Sequence, residues 1–413
     1  MKIYSSVISG SLNVLGDITA ETYITKTSVS TVTQSFSSGS TIFGDSGDDT
    51  HQFTGSLFIS GSSIELGDGN NNVVLGRNVN LSVGASTYST YIGYQAAGGN
   101  EGTGIGGSDI TVVGARAGQN LQQNPHRTTL IGSSTGRRIN VGLDNTMVGA
   151  YAGAYLTGAD YNVFMGTYAG YATVDVDKTV IIGYQAGYAN MTSDADGTVA
   201  IGYQAGKSIT SGQKNTIIGY EAGDSITDGD SSTIVGYQAG TAITAAGETG
   251  STLIGKWAGK SLTSGPYNTA IGRSAMINAT TANSCVAIGD QAAQYIPAAT
   301  SITGLIAIGS SALGDASTMD TSANYSVAIG AGAGNNAGPL AEEFVIIGRS
   351  AGSKINGTGV THIGFEAGQY ASGSYNTFVG TDAGKGGTTS APFSSGYNNT
   401  ALGYQALTSF TTA

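Results

Sequence analysis

Residues 215–223 read NTIIGYEAG, and this stretch is one copy of a short motif that recurs through most of the chain. Aligned on the glycine of the Ile-Gly pair, the chain of 413 residues holds nineteen copies, the first at Gly76 and the last at Gly403. Eight of the eighteen intervals between these glycines are 17 residues long, and the others range from 16 to 23. A constant motif with variable spacing predicts a repeat protein whose insertions lie in one loop of each unit.

The columns of the alignment indicate a strand followed by a turn. We count positions from the aligned glycine, which is position 0. Position −1 is Ile, Val, Leu or Met and position −3 is Thr, Val or Ile, so one face of a strand is apolar. Position +3 is Ala in seventeen copies, which indicates that two backbones approach closely there and offers a surface for packing between chains. Position +4 is usually Gly, as a turn with positive φ requires, and position −4 is Asn in seven copies, which suits a stacked ladder or a turn cap.

A unit of about 17 residues holds two short strands and two turns but cannot bury its own apolar face, so it must stack on its neighbours. Helical repeats need about 33 residues or more per unit and are therefore excluded. The chain has 66 Gly and only 10% charged residues, which also favours short strands over helices. We predict an all-β fold, a parallel β-solenoid (β-roll) of about nineteen coils over residues 71–413. Residues 1–70 contain two related alternating pieces and are predicted to form a small N-terminal β module for docking or connection.

Composition and motifs exclude several functions. A net charge of −11 argues against nucleic-acid binding, which needs Lys and Arg to neutralise phosphates. The sequence has no signal-peptide core and no apolar run of the roughly 20 residues that a membrane span needs. No nucleophile elbow, phosphate loop or HExxH motif is present, so no enzymatic activity is predicted. The single cysteine, Cys285, occupies a column of small residues and is interpreted as a filler.

Two copies, residues 285–289 (CVAIG) and 326–330 (SVAIG), resemble the head repeats of trimeric autotransporter adhesins. Those heads have a similar Ser-Val-Ala-Ile-Gly core in a left-handed parallel β-roll of three packed chains. The runs NTAIG (268–272) and NTALGYQAL (399–407), with residues 44–62, resemble phage tail-fibre and virion-appendage proteins. Such proteins are released by lysis and commonly attach to the particle by the N-terminus. The resemblance implies a homotrimeric fibre at the virion surface that projects outwards and contacts a host.

The first candidate site is an aromatic column at position +1, where four successive copies carry Tyr184, Tyr203, Tyr220 and Tyr237. Stacked coils would place these rings in a ladder with a spacing of about 4.8 Å. An exposed aromatic ladder is suited to the apolar faces of sugars, as a receptor-binding fibre requires. The alternative is that the rings only stabilise the roll, by about 0.5–1.5 kcal/mol for each pair.

The second candidate site is a carboxylate column at positions −8 and −6. Asp175 and Asp177 precede one coil and Asp194 and Asp196 precede the next, so four carboxylates are predicted at one edge. Hard cations such as Ca²⁺ take six to eight oxygen ligands of this kind. The alternative is that these aspartates are solvated turn residues, since the spacing differs from the nine-residue repeat of calcium-binding rolls.

The function predicted from the sequence is that of a structural virion fibre, a phage tail fibre or similar appendage that mediates attachment to the host surface. Its predicted partners are two further copies of itself, other virion proteins through the N-terminal module, and a host surface glycan. No cofactor is predicted beyond the candidate Ca²⁺. Two alternatives remain: a bacterial surface adhesin of the trimeric autotransporter type, and a passive virion decoration.

Overall fold

The computed structural model describes residues 71–79, 86–98, 107–121, 125–244, 250–296, 301–315, 323–338, 341–387 and 395–408. All of them belong to one compact unit, Glu65–Ala413. These residues form an all-β parallel solenoid, as the repeat predicts, and their only helical element is a 3-10 turn at Ser193–Ala195. The prediction of a β module over residues 1–70 lies outside the described residues.

The strands are short, and most have three residues that occupy positions −3 to −1 of one repeat copy. In chain order they are β1 Val73–Leu75, β2 Ser86–Thr87, β3 Thr90–Ile92, β4 Gly107–Ser108, β5 Thr111–Val113, β6 Thr129–Ile131, β7 Thr146–Val148, β8 Val163–Met165, β9 Val180–Ile182, β10 Val199–Ile201, β11 Thr216–Ile218, β12 Thr233–Val235, β13 Thr252–Ile254, β14 Thr269–Ile271, β15 Thr281–Asn283, β16 Val286–Ile288, β17 Ser301–Thr303, β18 Ile306–Ile308, β19 Val327–Ile329, β20 Val345–Ile347, β21 Thr361–Ile363, β22 Thr377–Val379 and β23 Thr400–Leu402.

One parallel sheet of 19 strands takes a single strand from each repeat copy. Each strand pairs with the strand of the next copy, and equal repeat positions face each other: Ile217 in β11 pairs with Ala200 in β10 and with Ile234 in β12. The register also holds across the 23-residue interval before the last copy, where Thr377 pairs with Thr400. Insertions therefore leave the pairing of the strands unchanged and lie in the segments that connect one sheet strand to the next. Two additional two-stranded pairings, β2 with β4 and β15 with β17, extend the stack beside the main sheet.

The core is built from several inward positions of each coil. Position −2, the middle residue of each sheet strand, is buried in every copy except the first, where Val74 is only partly buried. Position +3 (mostly Ala), position +7, as in Ile209 and Ile226, and position −7, as in Val176 and Ile302, add to the interior. Each coil alone encloses little volume, so burial comes from stacking on the coils above and below.

The apolar face identified in the sequence, positions −3 and −1, points out of the coil. These side chains are partly or fully exposed in all nineteen strands of the sheet, and Ile218, for example, is 36% exposed. A strand alternates its side chains between two faces, so burial of position −2 forces its two neighbours outwards. The roll consequently presents a continuous outer stripe of Ile, Val and Thr, which we call the aliphatic face.

The alanine column at position +3 lies inside the chain. Ala205, Ala222 and Ala239 are fully buried, and so are the equivalent residues of most other coils. The prediction of close backbone approach is confirmed, because the backbone N–H of Gly223 donates to the carbonyl of Ala239 in the next coil at 2.9 Å. The prediction that this column packs against another chain is wrong, since its side chains face the roll interior.

Positions −2 and +4 compensate each other in volume in several coils, although Ala200 and Ala328 are followed by Gly206 and Gly334. Where position −2 is large, position +4 is mostly glycine, and a Cβ on Gly170 would lie 2.7 Å from the ring of Phe164. Where position −2 is Ala307, position +4 is Leu313, which is fully buried. Leu313 has φ of 51°, so positive φ alone does not require glycine at this position. Close packing of the interior explains why the two positions vary together.

The glycine at position 0 has a different constraint. From Gly93 to Gly380 these residues have φ between 128° and 142°, which L-residues rarely adopt. A Cβ on any of them would lie closer than 3.0 Å to backbone atoms of the equivalent glycine in the next coil. The same residue therefore sets both the turn and the spacing between coils.

A buried polar ladder at position −4 closes the coil beside the sheet, as predicted. The Nδ2 of Asn215 donates to the carbonyl of Gly229 at 2.6 Å, and its Oδ1 accepts from the backbone N–H of Ser232 in the next coil at 2.9 Å. Asn145 and Asn162 repeat this arrangement. These bonds satisfy polar groups that would otherwise be costly to bury.

His362 takes the inward position −2 between Ile346 and Phe378, and it is fully buried. Its ring stacks on that of Phe378 at 5.0 Å, and neither ring nitrogen has a hydrogen-bond partner among the described residues. Burial lowers the pKa of His362 to about 3, so the imidazole is neutral at physiological pH and packs as an aromatic filler. Cys285, which is also buried, fills position −4 of its coil as expected.

Candidate functional site

The four tyrosines at position +1 form the predicted ladder. Their ring centroids lie 5.5, 4.9 and 5.2 Å apart from Tyr184 through Tyr203 and Tyr220 to Tyr237, with interplanar angles of 14°, 9° and 11°. Parallel pairing of the coils fixes this geometry, because equal positions of adjacent strands repeat at the strand spacing. All four side chains stay 40–44% exposed.

The stacking determines which part of each ring a ligand can reach. Both faces of Tyr203 and Tyr220 are covered by neighbouring rings whose centroids lie 4.9–5.5 Å away, so a sugar cannot lie flat on them. The exposed parts are the ring edges and the hydroxyl groups. The ladder therefore offers a row of hydrogen-bonding groups on a rigid apolar base, and a ligand would contact it from the side.

The ladder is the upper part, towards the C-terminus, of a longer aromatic strip. The prediction from the sequence missed the strip because it considered position +1 alone. In the two preceding coils Tyr151 stacks on Tyr168 at 5.3 Å, and Tyr168 meets Tyr184 edge to face at 6.4 Å. We define the aromatic strip as ten residues in seven successive coils: Tyr151, Tyr155, Tyr168, Tyr171, Tyr184, Tyr188, Tyr203, Tyr220, Tyr237 and Trp257. The signal in the sequence was the recurrence of Tyr at +2 in the two copies before the ladder, and at +5 in the second of these and in the first copy of the ladder. The strip extends over about 29 Å.

The lower end of the strip is a tyrosine cluster. Tyr171 stacks on Tyr188 at 5.1 Å and meets Tyr155 edge to face at 5.1 Å. A side-chain hydrogen bond with Tyr155, together with burial, raises the pKa of Tyr171 to about 12. The phenol is protonated at any physiological pH and can donate or accept a hydrogen bond, but it cannot act as a base.

An amide ladder runs beside the tyrosines at position +2. Gln204 donates through Nε2 to the Oε1 of Gln185 at 2.8 Å, and Gln238 donates through Nε2 to the Oε2 of Glu221 at 2.7 Å. The Nε1 of Trp257 donates to the Oε1 of Gln238 at 3.1 Å. The side chains hold each other in fixed orientations, so this surface is organised before any ligand arrives.

The upper end of the strip is cationic. The Nζ of Lys256 lies 4.0 Å from the ring centroid of Trp257 and 5.8 Å from that of Tyr237. The Nζ of Lys260 lies 5.6 Å from the Trp257 centroid. Lys256 occupies position +1, so it continues the tyrosine column with a charge. Neither lysine forms an ion pair with a carboxylate of the described residues.

Two of the four candidate calcium ligands form hydrogen bonds with backbone N–H groups of neighbouring coils. Asp177 accepts through Oδ1 from the backbone N–H of Asp160 at 2.7 Å, and Asp196 accepts in the same way from the N–H of Asp177. These two carboxylates therefore connect successive coils, while Asp175 and Asp194 are exposed. The described residues contain no group of three or more His, Cys, Asp or Glu side chains placed to hold a metal ion. The structure thus offers no cluster on which to argue a calcium site.

Comparison with protein-family models and with curated proteins finds no match for the chain. Within the described residues, no helix has the length and apolar character needed to cross a membrane. The candidate site is an edge-exposed aromatic strip with a cationic upper end.

Proposed function

We propose that the protein is a homotrimeric structural fibre of a virion, a phage tail fibre or similar appendage, which projects from the particle and attaches to a host surface. The single observation that carries the proposal is the unpartnered aliphatic face along the 19-stranded sheet. The aromatic strip is the surface proposed to meet the host. The N-terminal residues are proposed to connect the fibre to other virion proteins.

The aliphatic face supports association with further copies of the chain. Positions −3 and −1 carry no charged residue in any copy, and the stripe has a footprint of about 600 Å² from strand spacing and rise. That area is at the upper limit of the apolar patches that monomers typically expose. A second copy has the same stripe with the same spacing, so two or three parallel rolls can cover each other along their whole length.

The oligomeric state tests this assembly. We expect light scattering to give three times the chain mass of 41.3 kDa. Ile218→Lys with Ile271→Lys should give the mass of one chain, because outward lysines are tolerated in a single roll but bring like charges together at the interface. The control is Gln204→Lys with Gln291→Lys, which adds the same charge at position +2 and should remain trimeric. A monomeric unmodified chain would refute the assembly.

The attachment role is tested on the aromatic strip. Tyr203→Ala with Tyr220→Ala removes two central rings and should abolish binding to glycans on an array of host-surface sugars. The melting temperature should fall but the roll should stay folded, since the change removes three stacked pairs that contribute about 0.5–1.5 kcal/mol each. Tyr325→Ala with Tyr375→Ala removes two exposed rings outside the strip and should leave binding intact. Equal glycan binding by both variants and by the unmodified chain would show that the strip is not part of the attachment surface.

A further inference from the structure

We propose that the upper end of the aromatic strip, formed by Tyr237, Lys256, Trp257 and Lys260, binds the acidic groups of an anionic polysaccharide whose chain lies along the strip. The inference rests on the proposed attachment function and names the class of ligand. It assigns a cationic contact to a chain whose net charge is −11.

The local charge differs in sign from that of the whole chain. Between Asp230 and Asp290 the sequence carries three basic residues and one acidic residue. Of the three, Arg273 is paired with Asp290, with Nε to Oδ1 at 2.8 Å. Lys256 and Lys260 are therefore the two cations of this region that retain an uncompensated charge among the described residues.

The two ammonium groups converge on one indole ring. Lys256 is held over Trp257 at 4.0 Å and Lys260 approaches the same ring at 5.6 Å. Cation–π attraction offsets part of the repulsion between two like charges and fixes their positions. An anionic group placed between the two lysines would relieve the remaining repulsion and form charge-assisted hydrogen bonds with both. A carboxylate or a sulfate ester supplies this chemistry.

The adjacent strip indicates a polymer as the ligand. Below Lys256 the tyrosine hydroxyls and the Gln side chains repeat at the coil spacing, which matches a ligand with regularly repeated polar groups. Tyrosine provides apolar contact and a hydrogen bond at low conformational cost. Sugar hydroxyls contacting ring edges and amides require no free ring face. The surface therefore suits a polysaccharide better than a single small anion.

Acidic side chains limit where the charge of the ligand can lie. Glu221 lies two coils below Lys256 and accepts a hydrogen bond from Gln238. Asp224 lies close to Glu221: burial is the main cause that raises the pKa of Asp224, and the negative charge of Glu221 raises it further. Lys207 offsets part of the charge of Asp224, and the negative charge that remains would repel an anion from the middle of the strip. The acidic group is thus directed to the lysine end, and neutral sugar units are directed to the tyrosines.

The test is affinity electrophoresis of the full chain in gels that contain hyaluronan, which carries a carboxylate on alternate sugars, dextran sulfate, or neutral dextran. We expect retardation by an anionic polymer and none by dextran, and the two anionic gels identify carboxylate or sulfate as the preferred group. Lys256→Gln with Lys260→Gln should weaken the apparent affinity at least about tenfold. The matched control is Lys214→Gln with Lys354→Gln, which removes the same charge elsewhere on the roll, including one lysine over a single ring.

Three results would overturn the inference: no retardation by either anionic polymer, equal retardation by dextran, or equal losses in the two double variants. Circular dichroism of each variant separates loss of binding from loss of fold. The attachment function has an independent readout in glycan-array binding by the unmodified chain and the tyrosine variants. If the lysine variant keeps its full affinity for a glycan found on that array, attachment stands and only the anionic site fails.

Discussion

Replacing Gly219 by alanine is expected to lower the unfolding free energy of the roll by at least about 3 kcal/mol, through backbone strain and steric overlap together. Gly219 has φ of 142°. A Cβ there would lie well under 3.0 Å from the carbonyl group of Gly236, which belongs to the backbone of the next coil. No rotamer change relieves this overlap, so the two coils must separate. Separation would also weaken the hydrogen bonds between β11 and β12.

Two other glycines provide controls for this prediction. Gly223 lies in the same coil with φ of 51°, and its Cβ would meet side chains and no backbone, at 2.9 Å from the end of Ile226 and 3.5 Å from Ile217. Ala97 and Ala293 already occupy the equivalent position with the same φ, so Gly223→Ala should cost only about 1 kcal/mol. Gly403 has φ of 116° but no described atom within 4 Å of a Cβ, so Gly403→Ala isolates the backbone strain.

Thermal unfolding monitored by circular dichroism compares the three variants, and hydrogen exchange localises the damage. Gly219→Ala should expose the amides of the coils on both sides, since each coil of a solenoid depends on its neighbours. Similar melting temperatures for Gly219→Ala and Gly223→Ala would contradict the view that the contact between coils, rather than the turn, makes the position 0 glycine indispensable.

The repeat made much of this fold predictable from the sequence. A motif such as residues 215–223 contains the strand, the glycine bend and the small residue behind it, and these are local features with one geometric solution. Stacking at equal positions then follows, and with it the ladder from Tyr184 to Tyr237. The cationic end of the strip was less visible. Lys256 replaces tyrosine at position +1 and Trp257 lies at position +2, and only their contact in space shows that they continue the strip.

The direction of the apolar face could not be read from the same columns. Positions −3 and −1, which carry β-branched or aliphatic residues in nearly every copy, proved to be exposed, whereas the buried position −2 ranges from Ala200 to Phe164. β-branched residues suit either face of a strand, so uniformity alone does not indicate burial. The interior can exchange volume between positions −2 and +4, so its residues vary from coil to coil even though they are buried. The alanine column at position +3 was wrongly assigned to a chain interface, since a small side chain fits both an interface between chains and a tight interior.

The exchange of volume between positions −2 and +4 can be tested at Phe164 and Gly170. Phe164→Ala should destabilise the roll by about 3–5 kcal/mol, because it leaves a cavity beside Gly170 that the stacked coils cannot close. Gly170→Leu should be at least as harmful, since a Cβ there would lie 2.7 Å from the Phe164 ring before the rest of the side chain is added. The double variant should recover more than half of the loss from either change.

The recovery is expected because the double variant reproduces a pair that the chain already uses. Ala307 and Leu313 occupy the equivalent positions of another coil, both are fully buried, and Leu313 adopts the left-handed conformation required there. A double-mutant cycle on the melting curves measures the coupling, which should be favourable and about 2 kcal/mol or more. Gly187→Leu combined with Phe164→Ala is the control. Gly187 lies one coil further along and faces Ile181 of its own coil and Met191, not Phe164, so no recovery is expected. If the losses from Phe164→Ala and Gly170→Leu simply add, the two positions do not share one volume, and the co-variation along the repeat must arise from the turn instead.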